Sequence, residues 1–280
     1  MGMNNYQMLT KTVQNMLGSE GSDAVLKMLK EKVSEGDGAA ATILGQLYEE
    51  GVGVFEDIET AIEYYNYGLE SGCFEAAGFL VDLFSQGEKV PQNQTRVYET
   101  YKKGAERGDV ECAARLAECY LHGQGTQPDA NAALEWGLRA AKAGDSYGMA
   151  TVGDVYRMML KNAGEAYHWY TKALEYEPGM LYLIQMQVYC LLDPFSYFGI
   201  NRDYGNCSKA AQICKDNLDI DENGALHLFL ALCYADGLGV SQDVDYAHDL
   251  VVKSVDLGNE DAKELLKGFR RSIFGTWVLQ

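Results

Sequence analysis

The chain has 280 residues, with 41 Asp and Glu against 23 Lys and Arg and a formal net charge of −18. Phosphate is held by clustered Lys and Arg, so nucleic acid and anionic membrane surfaces are excluded as partners, and a basic protein or peptide fits better. No run approaches ~20 apolar residues and no positively flanked apolar stretch opens the chain, so no membrane span or signal peptide is expected and the cytoplasm is the default location.

Glycine returns every 36 residues at Gly36, Gly72, Gly108 and Gly144, and a second series, Gly51, Gly87 and Gly123, precedes the first by 21 residues. Such periodicity marks stacked two-helix units, none of which buries its apolar face alone. A degenerate N-terminal unit, residues 1–36, stands ahead of the first full unit, with helices expected over Tyr6–Leu17 and around Val25, Leu26, Met28 and Leu29. Next, the columns Leu44, Leu80, Leu116, Val152 and Tyr48, Phe84, Tyr120, Tyr156 lie one helical turn apart. They predict a first helix per unit, helix A, over 39–50, 75–86, 111–122 and 147–158. Asp57 stands where an N-cap is needed, ahead of Ala61 and Tyr65, and predicts helix B over 57–71. Gly72, Gly108 and Gly144 follow as left-handed C-terminal caps.

The fourth unit has only 10 residues from Tyr156 to Ala166, against 13 from Tyr48 to Ala61, which shortens its connection through Lys161 to Gly164. The fifth carries nine extra residues around 193–206, including Pro194, Phe195, Tyr197, Phe198 and Tyr204, expected as a loop packed on its own repeat or used for contact. Tyr234, Gly237, Gly239, Ala247 and Gly258 restore the spacing. Ala262, Leu265, Leu266 and Phe269 predict one more helix A, and the tail with Ile273, Phe274 and Trp277 is expected to fold over that last face.

The string Leu44-Gly45, Tyr48, Gly51-Val52-Gly53-Val54, Asp57, Ala61, Tyr65, Gly72 resembles the Sel1-like repeat, a relative of the tetratricopeptide repeat. It recurs from Ala113 to Gly144 and from Leu230 to Gly258. The resemblance implies an all-α fold, a right-handed α–α superhelix of about seven two-helix repeats capped at both ends. It divides the chain into a degenerate repeat at 1–36, repeats over 37–259 and a capping helix and tail at 260–280. It also implies a non-catalytic scaffold or adaptor, monomeric apart from its partner, binding a basic or amphipathic polypeptide in its groove. Two alternatives stand beside it: an acidic inhibitor of the immunity type, and a β-lactam-binding hydrolase of the cysteine-rich Sel1-like branch. The second lacks support, because the recurring cysteine pairs of that branch and any Ser-x-x-Lys are missing.

No catalytic constellation, cofactor or metal is expected. Asp219-x-Asp221-x-Asn223-Gly224 matches the opening of a calcium loop, but its twelfth position is Leu230. Cys119-x-x-His122 lacks a second ligand pair. The seven cysteines read as small buried residues in a reducing compartment. By analogy with tetratricopeptide arrays, helix A lines a groove, and Thr42, Gln46 and Glu49 point inward. The same column gives Asp82, Glu118 and Asp154, joined by Glu75, Glu111 and Glu50, and later units turn apolar at Met180, Leu183, Leu191, Leu228 and Leu232. Gln46, Glu49, Glu75, Asp82, Glu111, Glu118, Asp154, Leu183, Leu228 and Leu232 are therefore the candidate partner-binding residues.

Overall fold

A computed structural model describes residues 3–192, 204–271 and 277–279. The chain divides into two compact units, Met1–Thr151 and Val152–Gln280, the division falling in the fourth helix A.

The first unit contains α1 (Asn5–Ser19), α2 (Ser22–Ser34), α3 (Gly38–Glu50), α4 (Ile58–Glu70), α5 (Glu75–Gln86), α6 (Gln94–Glu106), α7 (Val110–His122), α8 (Ala130–Lys142) and the start of α9 (Ser146–Asp154). Its helices form antiparallel A–B hairpins closed by one repeated bond. The amide of the helix-B cap donates to the carbonyl of the aromatic column, Asp57 to Tyr48, Asn93 to Phe84 and Asp129 to Tyr120, each at 2.9 Å. The cap side chain then accepts from the first turn of its own helix, as Asp57 does from Thr60 N at 3.1 Å. Gly53 and Gly125 take positive φ, and a β-carbon at either would run into the start of the preceding helix B, at Ser22 and Gln94. The Gly-x-Gly turn thus serves both the backbone conformation and the stacking of one hairpin on the next. Leu44, Leu80 and Leu116 are fully buried, as the columns require.

The second unit holds the end of α9, a π-helical turn Val155–Met159, α10 (Ala163–Tyr176), α11 (Leu181–Leu192), α12 (Tyr204–Asp216), a 3-10 turn Leu218–Ile220, α13 (Ala225–Asp236), α14 (Val244–Asp256) and α15 (Glu260–Gly268). Here the expected helix over 147–158 needs correction, since the α-helix stops at Asp154. The connection is three residues shorter, and the wider π turn together with Lys161 at φ 53 still lets the Asn162 cap donate to Tyr156 O at 2.8 Å. Phe269 also departs from expectation. It leaves the last helix in extended backbone and opens β1 (Phe269–Arg271), which pairs antiparallel with β2 (Trp277–Leu279). Trp277 stacks on His248 of α14 with ring centroids 3.8 Å apart, and its amide donates to Asp245 at 2.7 Å. Pro194, Phe195, Tyr197, Phe198, Ile273 and Phe274 lie outside the described residues, while Tyr204 begins α12. Among the described residues no helix is long and apolar enough to cross a membrane.

Candidate interaction surfaces

The candidate residues on helix A separate into four groups. Thr42 and Leu183 are fully buried, so neither reaches a partner. Thr42 turns its hydroxyl back to Gly38 O at 2.9 Å, and Leu183 belongs to the core of the second unit. This corrects the inward placement of both, because the apolar stripe of each helix is wider than the two columns that define its period.

A second group is already engaged within the chain. Tyr6 of α1 donates to Gln46 at 3.0 Å and Asn4 donates to Glu75 at 2.6 Å, so the N-terminal helix covers part of the face expected to be open. Tyr65 donates to Glu49 at 2.7 Å, and Lys89 pairs with the same carboxylate at 3.3 Å. Burial and then this neighbouring carboxylate drive the Tyr65 phenol far above its ordinary range. Glu118 pairs with Arg115 at 3.5 Å, and the Arg115 guanidinium lies over the Tyr147 ring. In the second unit Asp154 accepts from Tyr170 at 2.8 Å and from Tyr182 at 2.7 Å, and pairs with Arg157 at 2.9 Å. Each of these carboxylates thus already has a partner within the chain, from its own helix for Glu118 and from another segment for Glu49 and Glu75.

The third group is exposed: Asp82 and Glu111 make no hydrogen bond or ion pair among the described residues. Glu111 lines a cavity of about 690 Å³ in the first unit, where the starts of α3, α5 and α7 meet α1. Asp37, Glu75 and Asp109 share that lining, and it contains no Lys or Arg. Asp37 and Asp109 cap their helices, accepting from Ala39 N at 3.0 Å and Cys112 N at 2.6 Å, and three helix N-termini soften the negative field. Cys73 donates to Glu75 at 3.3 Å, and burial raises its thiol to about 11.

The fourth group is apolar. Leu228 and Leu232 are half-buried on α13 and line a cleft of about 600 Å³ in the second unit, with Phe229, Leu238 and Leu265.

Chemistry finds little footing. Asp219 is exposed, Asp221 is buried against His227 Nδ1 at 2.7 Å, and Asn223 holds Gln185 at 2.7 Å, so the calcium-loop residues do not converge. Cys119 is buried and His122 exposed, and all seven cysteines are buried and outside any disulfide. No group of three or more His, Cys, Asp or Glu suited to a metal occurs among the described residues.

Paired helices repeated in register, with charged and apolar columns presented on helix A, define an α-helical repeat protein. The Sel1 repeat model matches residues 38–73, 110–145, 153–175 and 226–259, and the chain is a Sel1-like repeat protein. In the unit with the shortened connection the match covers only 153–175, the end of helix A and most of helix B. A protective antigen of uropathogenic Escherichia coli strains with an SLR fold shares 27% identity at a TM-score of 0.59, over 86% of this chain and 50% of its own. The chain therefore spans half the length of that protein. A Sel1 repeat protein from Oxalobacter formigenes shares 22% at a TM-score of 0.55, over 86% of this chain and 68% of its own. The C-terminal part of a TPR repeat-containing protein from Cytophaga hutchinsonii shares the fold alone, with 11% identity, a TM-score of 0.56 and coverage of 93% and 98%. No curated protein matches the chain. Sel1 repeat proteins are generally protein-interaction scaffolds.

Proposed function

We propose that this chain is a non-catalytic scaffold that holds a partner polypeptide through basic side chains seated on the first unit. The observation that carries the reading is the cavity at the starts of α3, α5 and α7, with four carboxylates and, among the described residues, no Lys or Arg in its lining. A Lys or Arg entering it meets acceptors on several sides. Each exposed pair contributes only ~0–1 kcal/mol, so these charges orient the partner and speed its arrival more than they hold it. A net charge of −18 opposes self-association and supports a chain monomeric apart from its partner. Seven buried cysteines outside any disulfide suit a reducing compartment, and a cytoplasmic setting is part of the proposal.

The test is a titration of the chain with a fluorescent Lys- and Arg-rich peptide at two salt concentrations. Charge reversal by Glu111→Lys with Asp82→Lys spares the capping carboxylates and the Asp154 network, so the fold should survive. Binding should weaken and lose salt dependence. Unchanged affinity in the double variant would refute the assignment of this face.

A further inference from the structure

Helix α13 reads Ala225-Leu-His-Leu-Phe-Leu-Ala-Leu-Cys-Tyr-Ala-Asp236 and is apolar around nearly its whole circumference. One side is accounted for, since Leu226, Leu230, Ala231 and Cys233 are fully buried in the core of the second unit. Among the described residues the other side is not. Ala225, Leu228, Phe229 and Leu232 stand at i, i+3, i+4 and i+7, are only half-buried, and form one wall of the cleft of about 600 Å³. A helix facing water normally carries polar residues there. The repeat register sharpens the contrast, for the position of Leu232 is Gln46, Asp82, Glu118 and Asp154 in earlier units, and that of Leu228 is Thr42, Gly78, Ala114 and Ala150.

We propose that this cleft docks a cationic amphipathic helix of a partner polypeptide, its apolar stripe on Leu228, Phe229 and Leu232 and its Lys or Arg against Asp236 and Asp261; this rests on the scaffold reading. Two observations choose the occupant. Asp236 and Asp261 are exposed carboxylates of the cleft lining, which among the described residues contains no Lys or Arg. That rim repels the headgroups of an anionic membrane and the carboxylate of a fatty acid. A second copy of this chain is disfavoured too, because each brings a net charge of −18. The backbone argument selects a helix over an extended segment. The lining offers mostly hydrocarbon and no strand edge, and an extended peptide would leave amides and carbonyls unpaired that a helix satisfies internally. The half-exposed stripe runs about 10 Å along α13, two turns, which is the length over which a partner helix presents its own i, i+3, i+7 anchors.

The probe is a 14-residue Leu and Lys peptide with helical amphipathic spacing, and a scrambled peptide of the same composition is the control. Fluorescence anisotropy on the full chain should show binding of the first and not of the second. Leu228→Gln with Leu232→Gln should weaken binding at least about tenfold, with the circular dichroism melt reporting whether the fold holds. A nitroxide on the peptide gives a readout that needs no variant, since broadening should centre on the amides of residues 225–236. Equal binding of the scrambled peptide, or unaltered binding by a folded Gln variant, overturns the proposal. So does a dimer in sedimentation that Leu232→Gln dissolves, or capture of anionic vesicles in place of the peptide. Broadening centred on Glu111 would remove this inference and leave the scaffold reading standing. Failure of every polypeptide probe on both units would remove both.

Discussion

The ring of Tyr65 lies flat against the bare backbone of Gly45, where a β-carbon would stand 2.6 Å from Tyr65 Cε1. The same pair recurs three repeats later, with Gly153 facing Tyr170 Cε1 at 2.6 Å. The repeats between them carry Val81 with Tyr101 and Ala117 with Gly137 in the same two columns, so the Gly–Tyr pair is not used in every hairpin. In these two hairpins helix A and helix B approach closely because glycine leaves room for the tyrosine ring. Gly45→Ala should therefore destabilise the chain by about 1–3 kcal/mol through overpacking, although alanine is the better helix former. Urea denaturation checks it, and a neutral or stabilising result would contradict the packing.

Asp154 gathers Tyr170, Tyr182 and Arg157 around one carboxylate. Asp154→Ala should cost about 2–3 kcal/mol, because three charge-assisted partners lose their acceptor together. Burial first, and the Asp154 charge second, push both phenols well above the usual tyrosine range. An ultraviolet titration of the folded chain should therefore show these two tyrosines still protonated when exposed ones have ionised. In Asp154→Ala their ionisation should move toward normal.

Asp129 caps α8 by accepting from Asn131 N at 2.9 Å and Ala132 N at 3.1 Å. Asp129→Ala should lose about 1 kcal/mol, and Asp129→Asn only a fraction of that, since Asn93 already performs the same task on α6. Thermal melts of the two variants separate a capping role from a purely electrostatic one.

Burial, with a contribution from Glu75, raises the Cys73 thiol from 9.0 to about 11. A thiol that holds its proton more tightly when folded contributes stability that is complete below pH 9.0 and fades as pH rises toward about 11. The melting temperature should fall across that window, and Cys73→Ala should reduce the fall. At pH 8 none of the seven buried thiols should react quickly with an aromatic disulfide reagent, and all should react in denaturant. Rapid labelling of Cys73 in the folded chain would show that its burial is not as described.

The glycine period, the Asp57 cap and the Leu44 column were legible in the sequence because each rests on local geometry: a left-handed turn, an N-cap bond, one apolar stripe per turn. The candidate surface was less so. Gln46 and Glu75 carry the right residue types, yet only the packing of α1 shows that Tyr6 and Asn4 already occupy them. Leu183 and Leu228 look alike in the sequence, and one is core while the other opens onto a cleft.

Periodicity alone thus determined the helix pairs, their order and which columns face the core, since these follow from backbone conformation and spacing along the chain. Which charged and apolar side chains stay open to a partner was decided only by tertiary structure. Exposure depends on what distant segments bring to each side chain, and no spacing within one repeat encodes that.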